Sequence, residues 1–271
     1  MKNLKYILFA FIVFAFSGCE DVVDIDLNEA PPRLVIDASI VWQKGTAGND
    51  QKIKLTTTTS YYQTNTPAVS GATVFITDGN DEVYNFEENP GTGDYICADF
   101  LPVLNGIYTL TVIHDGQTYT ATETLKSVPE IDFIEQKNDG GFSGDEIEIK
   151  TFITDNGATT DFYLWKYEPS FTVIPSYDVS DDDFFNGNQF SDLYLHEDLE
   201  SGQTLGISVY GISQTYYNYM NLLLDIAGGG GPFATPPATL KGNIVNQTNF
   251  SNYALGYFNV SEKDYRLYQV E

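Results

Sequence analysis

The chain has 271 residues, and its 38 Asp and Glu against 13 Lys and Arg give a formal net charge of −25 at pH 7. This charge excludes nucleic acid as a partner, because binding to phosphates requires a basic surface. It also excludes electrostatic adhesion to anionic lipid headgroups.

The N-terminus has the pattern of a secretory signal peptide, with a basic start, an apolar run and small residues before a cysteine. The basic residues are Lys2 and Lys5, the apolar run covers residues 6–16, and Ser17 and Gly18 precede Cys19. The run is shorter than the ~20 residues that a membrane-spanning helix needs, and no later segment approaches that length. The sequence therefore predicts a signal peptide over residues 1–18 and no transmembrane helix.

The Ser-Gly-Cys ending is typical of a bacterial lipoprotein signal, in which the cysteine thiol is acylated, for example with palmitate, and the signal is removed. Each buried CH₂ contributes about 0.8 kcal/mol, so a multiply acylated Cys19 holds a protein on a membrane essentially permanently. The alternative is ordinary cleavage that leaves an unmodified thiol. In either case an acidic tether over residues 19–32 follows.

Strand-like alternation begins after the tether, and seven short strands with a turn about every ten residues predict an antiparallel β-sandwich over residues 33–127. Asp78-Gly79-Asn80 marks one turn, and Asp115-Gly116 predicts a tight type I′ hairpin turn. Cys97 lies in one of these strands, and we interpret it as a small buried hydrophobe rather than a reactive thiol. With Cys19 acylated, it has no cysteine to pair with.

Residues 128–271 predict a second β-rich domain with one helical insertion. After a linking segment, two strand-like runs on either side of Asn156-Gly157 are interpreted as a hairpin, and the acidic and aromatic stretch "SYDVSDDDFFNGNQFSD" as a loop. An apolar stripe predicts a helix near residues 213–227, capped by Ser213 and stopped by the glycines from Gly228. Two separate strands, "NYALGYFNVS" and "DYRLYQV", close the chain.

Several segments together resemble domain-of-unknown-function family 4249, a family of outer-membrane surface lipoproteins. They are "CEDVVDIDL", "LVIDASI", "VSGATVFITDGN", "GIYTLTVIHDGQTYTA", "GGPFATPPATLKGNIVN" and "ALGYFNVS", which span residues 19–261. The resemblance implies an immunoglobulin-like or transthyretin-like N-terminal sandwich and pairing with a TonB-dependent transporter, an outer-membrane β-barrel. Glu20, Asp21 and Asp24 resemble the export signal that sends such lipoproteins to the cell exterior.

The sequence contains few side chains in patterns that indicate catalysis. His114 precedes a predicted hairpin turn, and His196 lies among acidic residues, but no nucleophile motif such as G-x-S-x-G accompanies either. Two distant histidines cannot form a zinc site either. We therefore predict that the protein is not an enzyme, and a surface hydrolase stays a less favoured hypothesis.

Calcium is the one ion for which the sequence offers ligands. Asp178, Asp181, Asp182 and Asp183 lie within one short stretch, and hard cations bind carboxylate oxygens. The stretch does not match the EF-hand spacing, and its alternative interpretation is a solvated acidic loop. No other cofactor is predicted.

The helix and the Gly- and Pro-rich segment after it are candidate contact elements. Their aromatic residues Tyr216, Tyr217, Tyr219 and Phe233 are predicted to bind a partner or ligand, since tyrosine is favoured at interfaces. The alternative is that these rings pack on the adjacent sheet. The glycines do not form a phosphate-binding loop, because no Gly-Lys-Ser/Thr follows them.

Together these features predict a lipid-anchored outer-membrane lipoprotein at the cell surface that acts as a non-catalytic binding or docking subunit, accessory to a TonB-dependent transporter. A structural subunit of an outer-membrane secretion or protein-assembly complex is the alternative. The sequence does not separate the two.

Overall fold

The computed structural model describes residues 31–60, 63, 65–142, 144–228 and 239–271. Residues 32–271 belong to one compact unit. The predicted signal peptide, Cys19 and the export residues Glu20, Asp21 and Asp24 lie outside the described residues. Within the described part of the chain, no helix is long and apolar enough to cross a membrane.

The described residues form fifteen strands and one helix. In chain order they are β1 Leu34–Gln43, β2 Gln51–Thr57, β3 Thr73–Asp78, β4 Val83–Asn89, β5 Asp94–Cys97, β6 Ile107–His114, β7 Gln117–Thr124, β8 Ile131–Gly140, β9 Glu146–Thr154, β10 Phe162–Pro169, β11 Ser176–Asp181, β12 Gln189–Leu195, β13 Thr204–Ile212, α1 Gln214–Ala227, β14 Val245–Asn246 and β15 Leu255–Gln269. The described part of the chain is therefore mainly β with one helical insertion, as predicted.

The first seven strands form a sandwich, which confirms the predicted fold class. β1, β2 and β5 make one layer, and β3, β6, β7 and β14 make the other. β4 pairs with both β3 and β5, so it carries the chain from one layer to the other. Alternation places Ile36, Ala38 and Ile40 in the core and leaves Asp37 and Ser39 exposed.

Local turn chemistry sets the hairpins of this sandwich. β6 and β7 pair antiparallel through Asp115 and Gly116, which have φ values of 48° and 71°. A type I′ turn requires positive φ at both central positions, so the predicted turn is confirmed. β3 and β4 likewise pair on either side of the predicted turn at residues 78–80.

A second pair of layers encloses the core of the C-terminal half. One layer has the order β11-β10-β13-β15, and the other is the three-stranded sheet β12-β9-β8. The core between them is rich in aromatic and branched side chains, contributed by Tyr163, Trp165, Tyr167, Ile207 and Val209 from the first layer and Ile149, Ile153, Phe190 and Tyr194 from the second.

β15 joins the two halves. It pairs in parallel with β1 from Leu255 to Lys263 and antiparallel with β13 from Lys263 to Gln269. The prediction of two separate strands here is wrong, because the polar residues between them, Glu262 and Lys263, stay in the strand, and Glu262 is buried. Glu262 accepts a hydrogen bond from the N–H of Val128 at 3.0 Å, and Asp264 accepts one from the N–H of Ile131 at 2.8 Å.

Three further interpretations of the C-terminal half are wrong. The hairpin proposed at Asn156-Gly157 does not form, because β9 pairs with β8 and β12 whereas β10 pairs with β11 and β13 in the other layer. The stretch interpreted as a loop contains β11 and the start of β12, and the linking segment after residue 127 continues into β8. The division into two domains between residues 127 and 128 stays a prediction. One twelve-stranded sheet runs across that boundary.

Candidate functional site

Helix α1 lies across the outer face of the layer β11-β10-β13-β15. The hydroxyl of Ser213 accepts a hydrogen bond from the N–H of Tyr216 at 3.2 Å, which is the predicted cap. The N–H of Gly228 donates to the carbonyl of Leu224 at 2.8 Å and ends the helix. The buried side of the helix, which includes Met220, packs on Leu164, Ile212 and Tyr257 of the sheet.

The helical tyrosines belong to this contact between helix and sheet. Tyr216 is 8% exposed, and its ring centroid lies 4.7 Å from that of Tyr257, as does the centroid of Tyr219. Tyr217 packs 5.1 Å from the ring of Phe162. Packing on the sheet therefore accounts for these three rings, and Phe233 lies outside the described residues.

Beside the residues that α1 packs on, the same sheet face carries a further row of outward-facing side chains. Tyr177, Lys166, Ser208 and Tyr265 are register partners across β11, β10, β13 and β15. Side chains of register partners point to the same face of a sheet. In the neighbouring rows, Tyr210 is the register partner of Lys263, and Gly206 is the register partner of both Glu168 and Leu267.

Strand alternation explains why these residues face outward. Trp165 and Tyr167 of β10 lie in the core. Lys166 lies between them and Glu168 follows them in the strand, so both point away from the core. We call the outward-facing group beside the helix the aromatic–lysine surface and define it by seven residues, which are Lys166, Glu168, Tyr177, Tyr210, Lys263, Tyr265 and Leu267. Of these, Tyr210 also packs against the cluster that the helix forms with the sheet.

The two lysines of the aromatic–lysine surface have different surroundings. Nζ of Lys166 lies 2.7 Å from a carboxylate oxygen of Glu168. Burial opposes the charged form of Lys166, but the hydrogen bond to Glu168 and the electrostatic effect of its neighbours together outweigh burial and raise its pKa. Nζ of Lys263 lies 6.0 Å and 5.7 Å from the ring centroids of Tyr210 and Tyr265. Burial and the charge of Lys166 lower the pKa of Lys263.

This arrangement suits contact with a macromolecule. Tyr177 is 40% exposed and Leu267 is 65% exposed, so the surface presents a ring and an apolar side chain beside two cations. Tyrosine is enriched at protein interfaces because its ring combines a large rigid area with a polar tip. Cations over tyrosine rings at these distances add a weak attraction.

The four aspartates proposed for calcium do not converge. Asp178 is exposed on β11 in register with Trp165, whereas a carboxylate oxygen of Asp181 accepts a hydrogen bond from the hydroxyl of Tyr217 at 2.9 Å. Asp183 is exposed, and Asp182 is fully buried. Of the four, the structure brings only Asp182 into a cluster of carboxylates.

A buried carboxylate that sequence reasoning missed lies at the start of the helix. Oε1 of Glu123 accepts hydrogen bonds from Tyr257, Asn243, Ser213 and Thr215 at 3.0 to 3.3 Å. These donors come from β15, the segment before β14, and the first turn of α1. Glu123 therefore fixes the position of the helix on the sheet, and no local pattern around residue 123 indicates this.

The histidines do not form a catalytic group with a hydroxyl or a thiol. Nε2 of His114 lies 3.4 Å from its neighbour Asp115 at the hairpin tip, and the ring of His196 packs 4.8 Å from Phe171. Among the residues that the structure describes, neither ring is hydrogen-bonded to a Ser, Thr or Cys side chain.

The model of a domain of unknown function, DUF4249, matches residues 20–266. None of the curated proteins matches the sequence.

This chain is also similar to several solved structures. A segment of two fibronectin type-III domains from chicken tenascin is 12% identical over 66% of this chain and 90% of its own, with a TM-score of 0.23. The FN1–FN3 domains of chicken CNTN1 are 13% identical over 68% and 63%, with a TM-score of 0.25. A DUF4785 family protein from Legionella pneumophila is 10% identical over 66% and 52%, with a TM-score of 0.27.

Proposed function

The chain belongs to the DUF4249 family of domains of unknown function, and from that membership we propose that it is a lipid-anchored, non-catalytic docking subunit of the bacterial outer membrane. Its partner is an outer-membrane β-barrel, a TonB-dependent transporter. The protein holds this partner through the aromatic–lysine surface and faces the cell exterior.

The aromatic–lysine surface is the observation that carries the proposal. In a chain with a net charge of −25, two lysines and three tyrosines share one sheet face. Elsewhere the excess of acidic side chains repels other acidic surfaces and limits association. A partner that presents carboxylates and apolar side chains is therefore attracted to this face more than to the rest of the molecule.

The placement of the two histidines supports a non-catalytic role, and the absence of a G-x-S-x-G motif from the sequence agrees with it. Binding modules on β-sandwich frameworks need only a surface of complementary shape and charge. The function proposed here needs no cofactor.

The proposed location rests on the sequence around Cys19. An acylated Cys19 anchors the chain, and the acidic residues Glu20, Asp21 and Asp24 direct it to the outer face.

Replacement of Cys19 by alanine is expected to move the protein from the membrane fraction to the soluble fraction. Protease added to intact cells is expected to degrade the wild type. Retention of Cys19→Ala on membranes would contradict the anchor, and full protection from protease would place the protein on the periplasmic side.

Affinity isolation from detergent-solubilised outer membranes tests the proposed partner. The tagged wild type is expected to bring down a large β-barrel transporter in a fixed ratio. Isolation of secretion or barrel-assembly subunits in its place would support the alternative, a structural subunit of such a complex. Recovery of the lipoprotein alone would contradict both.

A further inference from the structure

Three carboxylates from separate parts of the sequence meet where two loops of the C-terminal half touch. Asp155 follows β9, Asp161 precedes β10, and Asp182 follows β11. One carboxylate oxygen from each lies within 4.8 Å of the others. Asp155 is 3% exposed and Asp182 is fully buried, so two of the three are removed from solvent.

A pair of glycines holds the two loops together. Gly157 and Gly187 have φ values of 67° and 73°, and a Cβ on Gly157 would lie 2.7 Å from the Cα of Gly187. Their N–H groups donate to Oδ2 of Asp155 at 2.9 Å and 2.7 Å, respectively. The hydroxyl of Tyr163 donates to Oδ1 of the same carboxylate. Asp155 is therefore held in one orientation before any ligand arrives.

Asp182 has an oxygen that the protein does not satisfy. Its Oδ2 accepts a hydrogen bond from the N–H of Asp161 at 2.9 Å, but its Oδ1 is buried and has no hydrogen-bond partner among the described residues. A buried carboxylate oxygen without a donor is costly, because the lost hydration is not replaced. A cation among the three carboxylates would replace it.

Within the described part of the chain, no ion pair balances the charge of the cluster at contact distance, although the charge of Lys126 acts on Asp161 from farther away. Among the residues that the structure describes, no Lys, Arg or His nitrogen lies within 4 Å of these three carboxylates. Burial raises the pKa of Asp161, and the charges of Asp155 and Asp182 raise it further. Burial opposes ionisation of Asp155 too, but hydrogen bonds, led by that from Gly187, hold its pKa below the usual value.

A polar cavity borders the cluster at Asp161. It has a volume of about 290 Å³ and is lined in part by Asp161, Asn156, Thr154, Glu130 and Asp132. Six of the eight lining residues carry a side-chain oxygen. The cavity can therefore admit a hydrated cation and hold the waters that complete its coordination.

We propose that Asp155, Asp161 and Asp182 bind a calcium ion at the contact between these two loops. Calcium takes six to eight oxygen ligands in flexible geometry, whereas magnesium requires a near-ideal octahedron and retains most of its waters. Three protein carboxylates at one point fit the first ion better than the second, which usually binds through only one or two. Asp182 is common to this site and to the one predicted from sequence, while Asp155 and Asp161 replace the other three residues.

Calcium titration of the detergent-solubilised full-length protein tests the site, with calorimetry and thermal unfolding as the two measurements. The wild type is expected to bind one calcium ion and to unfold at a higher temperature with calcium than with EDTA. Asp182→Asn is expected to weaken binding by at least about tenfold, the scale on which metal sites respond to lost ligand interactions. Asp183→Asn removes the same charge from the adjacent exposed residue and is expected to bind as the wild type does.

Thermal unfolding in EDTA serves as the control for folding. Asp182→Asn is expected to unfold there at or above the wild-type temperature, because the substitution relieves repulsion between buried carboxylates. Absence of binding to the wild type at calcium concentrations up to about 10 mM, well above the range of weak extracellular sites, would overturn the proposal. Equal weakening by Asp182→Asn and Asp183→Asn, or tighter binding of magnesium than of calcium, would overturn it as well.

Discussion

Buried polar side chains decide how the C-terminal strand passes from one half of the protein to the other. Ser261, Glu262 and Asp264 are 0%, 4% and 5% exposed, although their types are usually found at the surface. Lys44 forms an ion pair with Glu262 at 2.9 Å, and Arg266 one with Asp264 at 3.1 Å. Lys44 and the N–H donors of Val128 and Ile131 come from distant parts of the chain, so the sequence alone indicates a break between strands where the structure has none.

Cys97 shows which properties of a residue can be predicted. Its place in an alternating strand predicts burial, and the side chain is 2% exposed. Burial raises the pKa of the thiol to about 11, so it is protonated at neutral pH and unreactive as a nucleophile. The local pattern suffices here because burial on one face of a strand depends only on the period of the strand.

Asp192 makes the stability of the protein depend on pH. Its carboxylate accepts a hydrogen bond from the hydroxyl of Tyr167 at 2.6 Å. Burial raises its pKa from 3.8 to about 7, the charge of Asp178 adds to this rise, and the bond from Tyr167 opposes it. Because the folded pKa lies above the unfolded one, the folded state binds the proton more tightly. This contribution is present below about pH 4 and is lost as the pH rises through about 7.

Asp192→Asn tests this contribution, because an amide does not ionise but can still accept the hydrogen bond. The free energy of unfolding of the variant, relative to the wild type, is expected to rise by on the order of 2 kcal/mol between about pH 4 and pH 8. Denaturant unfolding of both proteins at several pH values measures the difference. A difference that does not change with pH would show that Asp192 titrates normally.

At the scale of elements, hairpins closed by local turn chemistry are predictable and strand partners across the sheet are not. Asp115-Gly116 specifies its own turn, whatever lies around it. Asn156-Gly157 carries a similar signal, yet the chain crosses there from one layer to the other. The N–H of Gly157 is taken by Asp155 instead, and Gly187 packs against it from another loop. That contact partner lies thirty residues away in the sequence, where the local pattern does not indicate it.

Gly256 allows β15 to begin alongside β1. It has a φ of 93°, and a Cβ there would overlap the carbonyl oxygen of Ile36, its partner in the parallel pair. Gly256→Ala is expected to lower the free energy of unfolding by more than about 3 kcal/mol, because it adds a backbone clash to the strain of a left-handed conformation. Denaturant unfolding measures the loss.

Gly71→Ala is the matched control, since Gly71 has a φ of 75° but nothing within 4 Å of an added Cβ. This variant carries the strain without the clash, so a loss of about 1 kcal/mol is expected. Equal losses in the two variants would mean that the approach of β15 to Ile36 does not constrain the fold.

At the scale of the whole molecule, the aromatic–lysine surface is assembled from β10, β11, β13 and β15 and could not be predicted from the sequence. Its members extend from Lys166 to Leu267, and each lies in an ordinary alternating strand. The sequence predicts the helix correctly, but the tyrosines of the helix pack against the sheet and against neighbouring rings. Contacts that connect distant segments, such as those of Glu123, determine which part of this sheet face the helix packs on and which part lies beside it.

The measurement that tests the docking account most directly is isolation of the outer-membrane partner with surface variants. Tyr177→Ser combined with Leu267→Ser changes two exposed members of the aromatic–lysine surface, and exposed substitutions of this kind leave stability within about 0.5 kcal/mol. Phe250→Ser removes a ring that is 74% exposed in the loop after β14, the strand at the far end of the sheet order from β11, and serves as the control. We predict that the double variant loses the β-barrel while Phe250→Ser retains it. Recovery of the barrel by the double variant at the wild-type level would contradict the account.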